Sequence, residues 1–187
     1  FRAPNLRELF LSGSTGFLNV SDPCYLPEEA LNNLTGEYIP ENDQRDPLVL
    51  SNCRATGVDP TKANNGGFNT FSVEAEAGGA LDLDPEESES WTAGFAYEQN
   101  FTNRFKLSFG VTYYEIDITN TVIEPSTGFI VRDCYTDEAG DGSSAFCSRI
   151  TRDLTSPENP QITFMDLGFI NRDQEIARGV DYNMSFN

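Results

Sequence analysis

Trp91-Thr92-Ala93-Gly94-Phe95-Ala96-Tyr97 and, after the polar turn Thr102-Asn103-Arg104, Phe105-Lys106-Leu107-Ser108-Phe109-Gly110-Val111-Thr112-Tyr113 alternate apolar with polar or small residues. Residues two apart share one face of an extended chain, so this period of two reads as strand rather than helix. Residues 90–118 are therefore expected to form a hairpin. Each strand runs about ten residues or more, the length that a tilted membrane-spanning strand needs, and aromatic residues stand at both ends of the apolar stripe like the girdles of such strands. A half-buried hairpin of a soluble sandwich shows the same alternation over shorter strands.

Working outward, the connections are either very short, as at 102–104, or very long. Residues 12–89 are rich in Gly, Pro, Asn, Asp and Ser. That length is unusual for a plain connection, so the segment is expected to be a long outer loop or a small subdomain stapled by its cysteines. Residues 119–161 make a second outer loop, and residues 162–187 further strands, at 162–169 and 176–186. Residues 1–11 suit a strand end or a short helix, and residues 27–34 a first helical turn. Tight turns on one side and long loops on the other are the habit of outer-membrane barrels, whereas sandwiches space their turns more evenly. About five strands are counted here and a small closed barrel needs about eight. Such a piece cannot close, so the stripe of Phe95, Tyr97, Phe105, Leu107, Phe109 and Val111 must find cover, through self-association or through long loops packed over it.

Composition narrows the function. The 187 residues carry 30 acidic and 12 basic side chains, a net charge of −18, and no histidine. So acidic a chain repels a phosphate backbone, which argues against nucleic acid as a partner. No apolar run is long enough for a membrane helix and no signal segment opens the chain. The start at Phe1 and the stop after an alternating run both look cut, and a piece of something longer is expected. Cys24, Cys53, Cys134 and Cys147 show no C-x-x-C spacing, so zinc is disfavoured and disulfides are expected. The pairs Cys24 with Cys53 and Cys134 with Cys147 are the simplest of three connectivities, and an oxidising compartment follows.

Without histidine the familiar nucleophilic triads have no base, so the chain is expected not to be an enzyme and to need no cofactor. Asp82, Asp84, Glu86, Glu87 and Glu89 are the densest carboxylates and read as a solvated acidic loop. Asp137, Glu138 and Asp141 offer hard oxygen ligands in a glycine-bearing turn, a weak metal candidate without EF-hand spacing. Tyr25, Tyr38, Asn64, Asn65, Phe68, Asn69 and Tyr135 could stack on or hydrogen-bond a ligand, although no single one is singled out as ligand-binding. Asn-x-Ser/Thr triplets occur at Asn19, Asn33, Asn100 and Asn183.

Several elements in order suggest a family. Phe1-Arg2-Ala3-Pro4-Asn5 with Glu8-Leu9-Phe10, then Leu83-Asp84-Pro85-Glu86 with Ser88, Ser90, Trp91, Thr92 and Gly94, resemble stretches of TonB-dependent outer-membrane receptors. Tyr113-Tyr114-Glu115-Ile116-Asp117-Ile118, the paired cysteines at Cys134-Tyr135 and Cys147-Ser148-Arg149-Ile150, and Gly179-Val180-Asp181 resemble later elements of the same barrel. The resemblance covers nearly the whole chain. It implies an all-β piece of a large plugged transmembrane barrel, without plug, TonB box or terminal strand, in the outer membrane of a bacterial cell. The implied partners are outer-membrane lipid, the rest of the barrel with its plug, the TonB complex through that plug, and a scarce ligand such as a siderophore, cobalamin or saccharide. The alternative is a soluble, secreted, disulfide-stapled β-domain that binds a ligand or partner through its loops.

Overall fold

A computed structural model describes residues 1–187 apart from Asn33, Gly67, Asn103, Arg104 and Asn187. The chain is mostly strand and divides into two compact units. The first comprises Phe1–Leu9, Leu81–Ile123 and Ile170–Asn187, and the second Phe10–Ala80 and Glu124–Phe169.

The first unit holds a helical turn, α1 (Leu6–Phe10, its last residue in the second unit), and three long antiparallel strands: β3 (Glu87–Thr102), β4 (Phe105–Ile123) and β7 (Ile170–Phe186), in the order β3-β4-β7. Helix wins over strand for residues 6–10 because Asn5 and Glu8 form a capping box. The Asn5 Oδ1 accepts from the Arg7 and Glu8 amides at 2.9 and 3.0 Å, and the Glu8 carboxylate accepts from the Asn5 amide at 2.7 Å. The hairpin is thus present and longer than 90–118. Of its turn, Asn103 and Arg104 lie outside the described residues, as does Asn33 of the Asn33-Leu34-Thr35 triplet.

Of the two expectations for residues 12–89, a long outer loop or a small stapled subdomain, the second unit agrees with the subdomain, and it also takes up most of residues 119–161. It contains β1 (Ser14–Ser21), α2 (Pro47–Ala55), β2 (Thr70–Ala77), α3 (Thr127–Thr136), β5 (Ile150–Arg152) and β6 (Ile162–Asp166). The four strands form one sheet in the order β1-β2-β6-β5, in which β2 and β6 run parallel. The expectation of all-β, antiparallel structure with about five strands is corrected accordingly: the described residues hold seven strands, one pairing of which is parallel, and three α-helices. The helices are locally specified. Asp46 caps α2 by accepting from the Leu48 amide at 2.8 Å, with Pro47 at the first helical position, and Ser126 caps α3 through the Phe129 amide at 3.2 Å. Residues 27–34 supply only a single 3-10 turn, Glu28–Ala30.

Both disulfides form as expected, Cys24 with Cys53 and Cys134 with Cys147. They run through the core of this unit, among Val20, Val73, Ile130, Tyr135, Ile162 and Met165. By loop entropy the bridges contribute about 3.5 and 3 kcal/mol.

Candidate membrane face and binding cleft

Pairing register in the first unit sorts every side chain to one of two faces. Trp91, Ala93, Phe95 and Tyr97 on β3 oppose Glu115, Tyr113, Val111 and Phe109 on β4, which in turn oppose Arg178, Val180, Tyr182 and Met184 on β7. The other face carries Thr92, Gly94, Ala96 and Glu98 against Tyr114, Thr112, Gly110 and Ser108, then Gly179, Asp181, Asn183 and Ser185. One face is apolar and aromatic across three strands. The opposite face is polar and small, and Gly179 belongs to it because an added Cβ would lie 2.7 Å from the Tyr114 hydroxyl.

The apolar face stands open. Trp91 is 59% exposed, Phe95 63% and Tyr182 80%, while all the buried hydrophobic residues among those described belong to the second unit. Within the second unit, Val20, Val73, Ile130, Ile162 and Met165 are buried in a core of that unit's own. From Phe105 to the Glu115–Arg178 row the face spans eleven residues, or ten steps, of β4. At about 3.4 Å per residue and a tilt of about 40° that is roughly 26 Å, close to the height of an outer-membrane apolar band. Aromatic pairs mark both limits: Trp91 with Tyr113, centroids 5.4 Å apart, and Phe105 with Phe186 at 4.4 Å.

Two separated sequence elements meet in this unit. Arg2 donates from Nε and Nη2 to the two Glu86 carboxylate oxygens at 2.5 and 2.8 Å, and from Nη1 to Glu8 at 3.0 Å. Its charge holds the Glu86 carboxyl below the usual range. Of the acidic run, only Glu86 is thus drawn into such a pairing, while Glu87 and Glu89 begin β3 as exposed residues.

In the second unit a cleft of about 410 Å³ is lined by residues that include Leu26, Glu37, Tyr38, Lys62, Asn64 and Glu158. Its walls are tied together by Arg45, which sequence reading overlooked because the partners of Arg45 are mostly backbone carbonyls. The guanidinium donates to the Cys24 and Tyr25 carbonyls at 3.1 Å each, to the Pro60 carbonyl at 2.8 Å and to the Asp43 carboxylate at 2.7 and 2.9 Å. Asp43 in turn accepts from the Tyr38 hydroxyl at 2.9 Å, and the Asn64 amide donates to the Glu158 carbonyl at 2.8 Å. Arg45 pulls the Asp43 carboxyl down to about 2. A carboxyl with a depressed folded-state pKa stabilises the fold above its unfolded value, near 3.8, and loses that contribution as pH falls toward 2. Acid titration of wild type against Asp43→Asn, followed by unfolding midpoint, should show a stability difference between pH 5 and 7 that shrinks between about pH 4 and 2.

The other ligand candidates sort differently. Tyr25 and Tyr135 are buried in the core, with the Tyr25 hydroxyl donating to Asn159 at 2.7 Å and its phenol pushed up to about 12 by burial and by Asp22. Phe68 is exposed. Asp137, Glu138 and Asp141 belong to a turn closed by the buried Asn52, which donates to the Asp137 carbonyl at 2.9 Å and accepts from the Gly142 amide at 2.9 Å. Gly140 and Gly142 supply its left-handed residues, and Asp141 accepts from the Ser143 amide at 2.9 Å. Among the described residues no three acidic, cysteine or histidine side chains converge on a metal position.

Comparison with protein-family models, curated proteins and solved structures finds no match to this chain.

Proposed function

We propose that this chain is part of the β-barrel of an outer-membrane TonB-dependent receptor, contributing three wall strands and a disulfide-stapled outer module to the uptake of a scarce ligand. The observation that carries the reading is the three-stranded sheet with one face apolar from Trp91 to Phe186 and exposed, and the other face polar and small. A soluble domain buries such a face, whereas lipid covers it at no further cost. Further support comes from topology. The connection between Thr102 and Phe105 is short, while the segments of the second unit are all inserted at the other end of the sheet, the arrangement of tight periplasmic turns and large outer loops. The edges of β3 and β7 then pair with further strands of the same wall.

Deleting the gene in its bacterial host should cost growth on one scarce nutrient class, ferric chelate, cobalamin or saccharide, as severely as losing the TonB complex does. Normal growth on all three, with the protein absent from the outer-membrane fraction, would overturn the reading.

A further inference from the structure

We propose that the cleft between Tyr38 and Asn64 is a binding site for a neutral saccharide. The proposal rests on the receptor reading only for the saccharide being cargo; the binding itself follows from the cleft. Its volume, about 410 Å³, is within the range of small-molecule sites. Charge excludes the main competitors. Among the described residues Lys62 is the one cation of the lining and already lies 3.3 Å from Asp59, while Glu37 and Glu158 bring two carboxylates, so phosphates and anionic chelates are repelled. A divalent cation finds no three converging ligands among the described residues, and a large apolar group finds little apolar wall, since Leu26 is only 2% exposed.

What the cleft does offer is a mixture that suits sugar hydroxyls. Each hydroxyl donates one hydrogen bond and accepts two, so it pairs equally with the carboxylates of Glu37 and Glu158 and with the Lys62 ammonium. Tyr38 lines the cleft, and a phenol ring is a flat apolar surface that suits the C–H face of a pyranose. The site is also held in place before any ligand arrives. Arg45 ties the Cys24 and Tyr25 carbonyls to Pro60 and Asp43, Asp43 fixes the Tyr38 hydroxyl, and the Leu26 amide donates to the Ala63 carbonyl at 2.8 Å. Preorganised walls lower the entropy lost on binding. Arg45 is thus a positioning residue, acting through Asp43 and Tyr38.

The test is NMR titration of the chain with glucose, galactose, maltose and cellobiose, against inorganic phosphate and spermidine. At least one sugar should shift the Lys62 and Asn64 signals saturably, with neither ion doing so. Tyr38→Ala and Asn64→Ala should each weaken that binding by about tenfold or more, equivalent to about 1.4 kcal/mol. Tyr38→Phe keeps the ring but loses the hydroxyl that Asp43 fixes, so it should weaken binding clearly less than Tyr38→Ala, which separates stacking from misfolding. Sugar shifts elsewhere only, binding indifferent to Tyr38→Ala, a preference for phosphate or spermidine, or no sugar binding would each overturn the proposal. Because the readout needs no bilayer, it stands or falls separately from insertion of the apolar face into lipid.

Discussion

Val111→Arg should destabilise the chain in lipid by about 2–4 kcal/mol, a factor of roughly 30 to 1,000 in its folding equilibrium. Val111 occupies the middle row of the apolar face, between Phe95 and Tyr182. In the proposed membrane wall an arginine there stands in hydrocarbon or drags water to it. On the adjacent row of the opposite face Ala96 opposes Gly110, which in turn opposes Asn183, so in the proposed wall Ala96→Lys points away from lipid and should change stability by no more than about 0.5 kcal/mol. Urea unfolding of both variants in phosphatidylcholine vesicles checks the contrast. In water without lipid the order reverses, because Val111→Arg then breaks up an exposed apolar surface and should reduce self-association.

Arg152→Ala should cost about 3–5 kcal/mol, because it leaves a buried carboxylate without its counter-charge. Asp22 is fully buried and Arg152 nearly so. The guanidinium donates to Asp22 at 2.5 Å, to the Pro160 carbonyl at 2.6 Å and to the Tyr135 hydroxyl at 2.7 Å, while the other Asp22 oxygen accepts from the Cys24 amide at 3.0 Å. One ion pair thereby joins β5, the residue after β1, α3 and the first disulfide. Asp22→Asn should be nearly as damaging. The double variant Arg152→Ala with Asp22→Asn should lose at least about 2 kcal/mol less than the sum of the singles, since neither charge then remains unpaired. Thermal unfolding of the four proteins, with disulfides intact, measures this coupling.

The first unit was largely legible in the sequence because its information is local. Alternation from Trp91 to Tyr113 determines which residues share a face, a short turn sets the register, and β7 repeats the pattern through Val180, Tyr182, Met184 and Phe186. The second unit was hidden for equally physical reasons. In β1 the adjacent Phe17 and Leu18 break the alternation, and in β2 the inward positions Val73, Ala75 and Ala77 are too small to stand out against Glu74 and Glu76. Pairing β2 with β6 joins residues about ninety positions apart, which no local pattern records. The cleft was half visible. Tyr38 and Asn64 were among seven loop residues named for their chemistry, but burial removes Tyr25 and Tyr135 from that set, and only the fold shows that Arg45 braces the site.

Trp91 is the single tryptophan of the chain and sits at one limit of the apolar face, beside Tyr113 and the Glu115–Arg178 row. Its fluorescence therefore reports directly on whether that face meets lipid. With the chain reconstituted in phosphatidylcholine vesicles, Trp91 emission should shift to the blue, and bromine placed on the acyl chains near the headgroups should quench it more than bromine near the bilayer centre, as expected of an interfacial girdle residue. Emission unchanged by vesicles, quenched by aqueous iodide and indifferent to brominated lipid would contradict the membrane wall.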